Sequence, residues 1–310
     1  MCDTCGCADP TEVPRLTAFR IDPAHHHDGH GHNPPAHENR VVDRMGGDQA
    51  DGARPDGDDR RTVLLEQQVL ARNDELAAAS RARLAARGVL AVNLMSSPGA
   101  GKTTLLERTV RDLAQRHPVA VVEGDQESVR DAERIRSAGV PVVQVNTGRG
   151  CHLDAAMVDR ALHALDPPAR AVVFVENVGN LVCPALFDLG EGARVVLLSV
   201  TEGEDKPVKY PHMFARADLV LLTKCDLLPY LGLDRDRLVA QVHRANPGAA
   251  VMALSGLHHA ADTPPDILAS DARPPGALPV DGTGLSDWYA WLRSRRDGLV
   301  GGEARDMGGV

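Results

Sequence analysis

The chain has 310 residues, which allows one large or two small domains. Its 34 Lys and Arg residues are outnumbered by 43 Asp and Glu residues, and a net charge of −9 without a dense basic stretch argues against a nucleic-acid binder. Apolar residues make up 43% of the chain but aromatic residues only 3%, so we expect an aliphatic core, and no apolar run reaches the roughly 18 residues of a membrane-spanning helix.

Residues 1–60 form a distinct segment that is rich in Cys, His, Asp, Gly and Pro. With so few core-forming side chains it cannot bury enough apolar surface to offset its ordering entropy, so we predict that it is disordered without metal. Its polar first 30 residues lack the apolar stretch of a secretory signal. Six cysteines in the whole chain are too few for a disulfide scaffold, which favours a reducing, cytoplasmic location.

A long helix is predicted over residues 61–88. Straight-chain residues and Ala dominate this stretch, no Pro interrupts it, and Gly88 stands where a helix stop is expected. We expect the helix to pack on the domain that follows.

Apolar runs then alternate with helical patterns through the rest of the chain. The runs are continuously apolar, as in strands that are buried on both faces of a parallel sheet. We therefore predict an α/β fold with a doubly wound, mainly parallel sheet over 89–297. A proline-rich loop is predicted at 256–282, a last helix at 285–296 and a flexible tail at 298–310. The predicted strands are 89–95, 119–124, 140–145, 171–176, 194–200, 218–223 and 249–254, and the helices between them are 102–116, 126–138, 151–165 and 234–245.

A phosphate-binding loop is indicated directly after the first of these strands, where residues 96–104 read SSPGAGKTT. This is close to the pattern G-x-x-x-x-G-K-[ST], with Ser96 in place of the first Gly. Small residues let backbone N–H groups surround phosphate oxygens, and the start of a helix favours an anion. A plain Gly-rich turn is the alternative, but GKTT between a strand and a helix argues against it. We expect Lys102 to reach the β- and γ-phosphates and the Thr103 hydroxyl to bind Mg²⁺. The predicted nucleotide-binding residues are Gly99, Ala100, Gly101, Lys102, Thr103 and Thr104.

Carboxylates follow the second and fourth strands. Residues 123–126 read EGDQ, and residues 176–179 read ENVG, which has the DxxG spacing of P-loop proteins with Glu for Asp. In such proteins a carboxylate beyond a strand helps to hold Mg²⁺, and a nearby Gly N–H meets the γ-phosphate. We predict that Asp125 holds Mg²⁺ or positions water, that Glu176 is a second catalytic carboxylate, and that Gly179 contacts the nucleotide. A helix cap or turn is the alternative for Asp125.

A base-recognition element follows the sixth strand, where residues 223–226 read TKCD, close to the [NT]-K-x-D element of GTP-binding proteins. Guanine presents N1–H and its exocyclic amine on one edge, and one carboxylate can accept both. Adenine has an acceptor at N1 and would be rejected. KxD alone also occurs at solvated helix starts, but its place at a strand end of a P-loop domain favours GTP. We assign Thr223, Lys224 and Asp226 to the base, with Ser255 as a further contact and Cys225 as structural.

Metal ligands are concentrated near the start of the chain. Cys2, Cys5 and Cys7 indicate a metal site, because the redox use of CxxC requires a strand-to-helix turn in a packed domain. Six histidines follow within 13 residues, and unlike a purification tag they are interspersed with Asp and Gly. Imidazoles bind Ni²⁺, Zn²⁺, Cu²⁺ and Co²⁺ with weak discrimination, so we predict weak nickel storage. These histidines are His25, His26, His27, His30, His32 and His37.

A second metal site is predicted inside the domain. Cys151 and His152 open the helix after the third strand, and Cys183 lies seven residues beyond Glu176. A buried Cys often only fills space, but two thiols and an imidazole on neighbouring loops favour a metal. Three ligands leave one position open, either for metal release or for a ligand from a second subunit.

Taken together, these motifs resemble the HypB family, SIMIBI-class P-loop GTPases used in nickel insertion into [NiFe]-hydrogenase. The resemblance covers about 60–255 and 283–297, and it includes TGRGCHLDA (147–155), ENVGNLVCPA (176–185) and TGLSDWYAWL (283–292). It implies a slow, GTP-dependent homodimeric GTPase that handles Ni²⁺ and Zn²⁺ at Cys151, His152 and Cys183 and nickel at the N-terminal cysteines. The implied partners are a HypA-type metallochaperone and the hydrogenase large-subunit precursor.

Two other functions stay open at this point. A relative in the same GTPase class that serves urease is disfavoured by the N-terminal CxxCxC and by the ENVGNLVCPA form of the switch. A nickel store with incidental GTPase activity would explain the His tract, but not the metal ligands on loops at the nucleotide edge. The chain also departs from the family pattern at Cys225, where an aliphatic residue is common, and at 256–282, which is normally short.

Overall fold

One mixed sheet forms the centre of the protein. The computed structural model describes residues 15–19, 56–126, 130–148, 150–256 and 283–306. The strands in these ranges are β1 (Arg15–Phe19), β2 (Leu90–Ser96), β3 (Val119–Asp125), β4 (Val142–Asn146), β5 (Val172–Glu176), β6 (Ala193–Ser199), β7 (Leu219–Thr223) and β8 (Ala250–Ala253). Their order in the sheet is β1-β4-β3-β5-β2-β6-β7-β8.

Helices cover both faces of this sheet. They are α1 (Asp56–Ala85), α2 (Lys102–Ala114), α3 (Arg130–Arg136), α4 (Ala155–Leu165), α5 (Lys206–Lys209), α6 (Pro211–Ala215), α7 (Leu228–Leu231), α8 (Arg235–Ala245) and α9 (Leu285–Asp306). None of the described helices combines the length and apolarity needed to cross a bilayer.

The predicted doubly wound, mainly parallel sheet is confirmed. Every neighbouring pair from β4 to β8 is parallel, and only β1 runs antiparallel to its neighbour β4. The carboxyl ends of β2 to β8 therefore lie along one edge of the sheet, which we call the carboxyl edge. The loops that carry the predicted site residues all begin at this edge.

Alternate residues of each strand enter different cores. Phe174 of β5 packs in the cluster formed with α2, α3 and α9, while its neighbours Val173 and Val175 pack in the cluster formed with α1 and α4. A third cluster joins β6 and β7 to α6 and α8 around Phe214. Burial on both faces explains why the strands are continuously apolar in the sequence.

The outer helices are fixed to the domain by polar contacts as well as by apolar packing. Trp288 Nε1 of α9 donates to Thr109 Oγ1 of α2 at 2.9 Å, and Tyr289 OH donates to Asp112 Oδ2 at 2.6 Å, all in the buried core. On the opposite face, Ser80 Oγ of α1 donates to Asp159 Oδ1 of α4 at 2.9 Å.

The N-terminal segment contains ordered structure that the sequence analysis did not predict. Residues 15–19, inside the predicted disordered segment 1–60, form β1 against the edge strand β4, and α1 begins at Asp56 rather than at residue 61. The three β1 side chains that the structure describes, those of Leu16, Thr17 and Ala18, are exposed, and the strand pairs with β4 through its backbone. Residues 1–14 and 20–55 lie outside the described residues.

The predicted C-terminal boundary was wrong. α9 continues to Asp306, so the predicted flexible tail 298–310 is helical over most of its length. Leu299 packs against the core cluster, three residues beyond the predicted end of this helix at residue 296. The predicted loop 256–282 lies outside the described residues except for Gly256, and its two flanks meet where Ser255 N donates to Thr283 O at 3.0 Å.

Candidate nucleotide and metal site

The phosphate-binding loop connects β2 to α2 at the centre of the carboxyl edge. Gly99 and Gly101 have φ angles of 74° and 98°, which favour glycine, and they curl the loop around the N-terminus of α2. Lys102 is buried, and Lys102 Nζ donates to Ser96 Oγ at 2.8 Å. Desolvation lowers the pKa of Lys102, although the nearby carboxylates of Glu176 and Asp131 oppose this effect. A buried cation and unpaired helix N–H groups make this loop an anion site.

Side chains at the end of β7 and within the loop itself hold the loop in place. Thr223 Oγ1 donates to Ala100 O at 2.7 Å, and Lys224 Nζ donates to Gly99 O at 2.8 Å, so the predicted base-site residues touch the phosphate loop directly. Ser97 Oγ donates to Glu202 Oε2 at 2.5 Å. Glu202 was not among the predicted site residues. The spacing Ser199-x-x-Glu202 is the sequence pattern of a helix capping box and could have drawn attention to it. Thr104 is half-buried in the first turn of α2.

The loop after β5 lies directly against the phosphate loop. A Cβ atom added to Gly179 would lie 3.1 Å from Pro98 Cα and 3.2 Å from Pro98 N. Only a residue without a side chain therefore fits here without displacing the phosphate loop. We call residues 176–180 the switch loop, because it contacts both the phosphate loop and, as described below, the metal ligands.

Two glutamates form a buried carboxyl pair beneath the phosphate loop. Glu123 and Glu176 are partners in the β3–β5 register, and Glu176 Oε1 accepts from Thr103 Oγ1 at 2.8 Å. The pKa of Glu123 is raised to about 9, mainly because the carboxyl group is buried and secondly because of the nearby charge of Glu176. Burial raises the pKa of Glu176 to about 7, against the opposing effect of Lys102. The sequence analysis noted EGDQ but selected Asp125 and missed Glu123.

This carboxyl pair fits a magnesium ion. Within the described ranges, Glu123 Oε2 and Glu176 Oε2 are buried without a hydrogen-bond partner, a costly arrangement that a cation would relieve. Mg²⁺ binds carboxylate and hydroxyl oxygens, and the Thr103 hydroxyl adjoins Glu176. The carboxylate of Asp125 accepts from Gln126 N at 2.8 Å, which is the turn role considered as its alternative. Its charge also raises the pKa of Glu123, so it belongs to the same acidic group.

The predicted base-site residues lie where β7 and β8 end. Asp226 Oδ1 accepts from Gly256 N at 3.0 Å, which orients the exposed carboxylate, and Lys224 has a left-handed φ of 60° at the sharp turn before it. Ser255 is next to this contact and half-buried. Cys225 Sγ donates to Leu222 O at 3.2 Å, and burial raises its pKa to about 11, so its thiol stays protonated.

The predicted internal metal ligands form one cluster. Cys151 Sγ lies 2.9 Å from Cys183 Sγ and 3.7 Å from His152 Nδ1, and ligand atoms of the three residues all lie within 4.8 Å of one another. The His152 ring stacks on Phe187 with centroids 4.0 Å apart. Desolvation lowers the pKa of His152, which favours the neutral imidazole that binds metals.

Asparagines of the switch loop bind the backbone of the metal loop. Asn177 is buried, and its Oδ1 accepts from Leu153 N at 3.2 Å and from Val178 N at 3.0 Å. Asn180 Nδ2 donates to Cys151 O at 3.3 Å. These contacts were not predicted, because asparagine has no chemical role that marks it in a sequence. These hydrogen bonds join the switch loop, which lies against Pro98, to the backbone of Cys151 and Leu153 on either side of His152.

The remaining predicted metal ligands lie outside the described residues. They are Cys2, Cys5, Cys7, His25, His26, His27, His30, His32 and His37.

The chain is similar to known proteins over the whole of this site. The CobW/HypB/UreG nucleotide-binding domain model matches residues 90–253. Hydrogenase maturation factor HypB of Azotobacter vinelandii is 50% identical over 236 residues, which cover 76% of this chain and 70% of that protein. The crystal structure of HypB from Helicobacter pylori in complex with nickel has a TM-score of 0.60 and 33% identity, covering 73% of this chain and 95% of that chain. Hydrogenase maturation factor HypB from Archaeoglobus fulgidus has a TM-score of 0.61 and 34% identity, covering 73% and 99%.

Proposed function

Because the chain belongs to the HypB family of hydrogenase maturation factors, a family of nucleotide-binding GTPases, we propose that it couples slow GTP hydrolysis to nickel delivery. In this proposal GTP is the substrate, and nickel is the cargo held at Cys151, His152 and Cys183. The receiving protein is a [NiFe]-hydrogenase large-subunit precursor, a HypA-type metallochaperone is the transfer partner, and the reaction takes place in the cytoplasm.

Residues around the phosphate loop supply what phosphoryl transfer requires. The reaction depends on positioning the phosphates and neutralising their charge. Lys102 brings a buried positive charge to the N-terminus of α2, where helix N–H groups also favour phosphate oxygens. Mg²⁺, when bound, offsets the charge that develops on the phosphates. Thr103, Glu123 and Glu176 are the residues that would hold it, and Asp125 at the end of β3 would orient the attacking water.

Guanine specificity is assigned to Asp226. Its carboxylate is held by Gly256 N, and a carboxylate accepts both N1–H and the exocyclic amine of guanine. Lys224 links this element to the phosphate loop through Gly99 O. The base and phosphate sites are therefore one connected unit.

The metal cluster is suited to nickel or zinc and to a homodimer. Thiolate and imidazole ligands bind both ions, and three ligands from one chain leave a coordination position for a further ligand. Val182 is 54% exposed and Leu186 is 39% exposed on either side of Cys183. These exposed apolar side chains could be buried by a second copy of the chain. In this proposal the second copy covers the metal site in the GTP-bound state.

The observation that carries the proposal is the hydrogen-bonded junction between the switch loop and the metal loop. Gly179 lies against Pro98 of the phosphate loop, while Asn177 and Asn180 bind Leu153 N and Cys151 O. A change in the switch loop on loss of the γ-phosphate would therefore reach the backbone that positions Cys151. Coupling of this kind is reciprocal, so bound metal must change nucleotide affinity by the same factor.

The test is a nickel titration of the GDP and non-hydrolysable GTP-analogue states. The full chain carries Ser in place of the N-terminal cysteines, so that thiolate-to-nickel absorption reports only the internal site. We expect the two nickel affinities to differ by about 5-fold to 150-fold, the usual range of allosteric coupling. Cys183→Ala should abolish the signal, and Cys225→Ala is the matched control that removes a thiol outside the cluster. Equal affinities in both states would support the alternative of a nickel store.

A further inference from the structure

A buried asparagine of α1 lies between the two loops that carry the metal ligands. Asn73 is 6% exposed, and its Oδ1 accepts from Ala155 N at 2.8 Å while its Nδ2 donates to Asp188 O at 2.8 Å. Ala155 is the third residue after His152, and Asp188 is the fifth after Cys183. One amide group of α1 therefore joins the backbones that follow the two halves of the metal cluster.

The two hydrogen bonds of this amide complete a closed circuit of contacts around the cluster. Phe187, which precedes Asp188, stacks on the His152 ring with centroids 4.0 Å apart and planes inclined by 26°. From His152 the chain runs to Asp154, which caps α4, and so to Ala155. If one backbone segment shifted relative to the other, the stack would break or the imidazole would move.

Further contacts fix segment 187–191 to α1. A Cβ atom added to Gly190 would lie 2.6 Å from Ala77 O, so the segment approaches the helix backbone as closely as only glycine allows. One helical turn further on, Arg81 Nε donates to Glu191 O at 3.2 Å, and Arg81 Nη2 forms an ion pair with the same segment at 2.5 Å. α1 therefore holds the backbone that follows one of the two thiols.

We infer that Asn73 is a positioning residue for the nickel site, because it fixes the two ligand-bearing loops relative to each other. The inference rests on the proposed nickel-handling function. The amide of Asn73 bonds to backbone groups and not to the ligands, so it acts through the loop backbones. Asn177 binds the metal loop from the switch loop, whereas Asn73 binds the end of that loop from α1.

The expected effect on nickel follows from the distance over which Asn73 acts. Residues that orient metal ligands without binding the metal contribute about 10-fold to 100-fold to metal affinity. Asn73 acts through backbone three to five residues from the ligands, so we expect the low end of that range, about 10-fold. The phosphate loop is not part of the circuit, so the affinity for GDP without nickel should be nearly unchanged.

The test is a Ni²⁺ titration of the full chain in its GDP state, with Ser in place of the three N-terminal cysteines. Asn73→Ala removes both amide bonds. Ser80→Ala is the matched control, because Ser80 is also buried in α1 and its Oγ donates to Asp159 Oδ1 at 2.9 Å, a bond that joins α1 to α4 but not to segment 187–191. We expect Tm to fall in both variants, but nickel affinity to fall about 10-fold only in Asn73→Ala.

A second measurement reports the separation of the two loops without metal. Cys151 Sγ and Cys183 Sγ lie 2.9 Å apart, so they can form a disulfide as one oxidised glutathione is reduced to two thiols. With Cys225→Ala added, they are the only thiols of the chain. Looser loops lower the effective concentration of one thiol at the other. Asn73→Ala should therefore reduce the equilibrium constant for disulfide formation about 10-fold, which raises the reduction potential by about 30 mV.

A second substitution at the same position covers the case in which Asn73→Ala does not fold. Asn73→Asp keeps an acceptor for Ala155 N at the start of α4, where a carboxylate is favoured. At about pH 8 the carboxylate is ionised and cannot donate to Asp188 O, so the link to segment 187–191 is lost. GDP binding verifies that the variant is folded, and we expect the same losses in nickel affinity and in disulfide formation.

The outcomes separate this inference from the proposed function. Nickel affinities and disulfide equilibria that are equal in the folded Asn73 variants and in Ser80→Ala would overturn the positioning role and leave the proposed function standing. A loss of nickel affinity with an unchanged disulfide equilibrium would overturn it too, because the loops would not have separated. If nickel never binds the internal cluster of the unmodified chain, the proposed function itself fails, and the inference fails with it.

Discussion

Asn177→Ala tests the junction between the switch loop and the metal loop. Asn177 Oδ1 accepts from Leu153 N and Val178 N, and Asn177 Nδ2 donates to Asn93 Oδ1 at 3.5 Å. Alanine keeps the buried backbone in place but removes the acceptor shared by the two N–H groups. None of the hydrogen bonds of the Asn177 side chain goes to a metal ligand or to a residue assigned to the nucleotide, so the substitution acts on their coupling through the junction.

The expected loss of stability follows from the two N–H groups left without an acceptor. Leu153 is 0% exposed and Val178 is 8% exposed, so water cannot readily replace the lost bonds. Each unsatisfied buried donor costs about 1–3 kcal/mol, which gives roughly 2–4 kcal/mol in total if the loops relax in part. In a domain of this size, that corresponds to a fall in Tm of about 5–15 °C.

A change in stability alone would not identify a coupling residue, so a matched control is needed. Asn246 Nδ2 donates to Phe214 O at 3.0 Å and to Ala217 O at 2.9 Å, and Asn246 Oδ1 accepts from Gly248 N at 3.0 Å, all distant from the site. Asn246→Ala should therefore lower Tm as well, but by less, because the Gly248 N–H is exposed and can bond to water. Only Asn177→Ala should reduce the ratio of nickel affinities in the GTP-analogue and GDP states towards one.

The assay is isothermal titration with Ni²⁺ in both nucleotide states, together with thermal melts of each variant. Nickel binding itself should persist in Asn177→Ala, because all three ligands remain. An unchanged affinity ratio in a variant that is destabilised as expected would refute the argument that the switch loop acts through Asn177. A loss of coupling in Asn246→Ala as well would show that coupling merely follows global stability.

Three further changes test other parts of the site. Asp226→Asn replaces the guanine acceptor with a donor, so GTP affinity should fall at least tenfold while xanthosine triphosphate binding improves; unaltered GTP affinity in a competition assay would remove Asp226 from the base site. Because the folded-state pKa values of Glu123 and Glu176 are raised to about 9 and about 7, their contribution to stability is fully present below the unfolded value of 4.5 and is lost as pH rises through 7 to 9. The Tm of the metal-free protein should therefore fall from pH 6 to pH 9, and Glu123→Gln should flatten that fall; parallel melting curves for the two proteins would contradict the raised pKa of Glu123. Trp288→Ala should lower the free energy of unfolding by about 3–5 kcal/mol in urea denaturation, since it empties a fully buried site and leaves Thr109 without its donor; a loss below 1 kcal/mol would mean that α9 is not part of the core.

The sequence alone determined the fold class and most of the residues that the site brings together. Continuous apolar runs between helical patterns indicate strands that are buried on both faces, and this pattern is a local property of each segment. The seven predicted strands match β2 to β8 to within about two residues. Parallel strands end at a common edge. The motifs around Lys102, Cys151, Glu176 and Asp226 therefore had to meet once each was placed at a strand end.

Only the tertiary structure decided which side chains pair across that edge. The contact between Glu123 and Glu176 depends on β3 lying next to β5 in one register, and that between Asn177 and Leu153 depends on how two loops cross. The described side chains of strand β1, at residues 16–18, are exposed, and the strand forms because β4 offers it an unpaired edge. Strand order and register arise from packing between segments far apart in the chain. Periodicity and motif spacing depend only on the conformation and burial of each segment by itself.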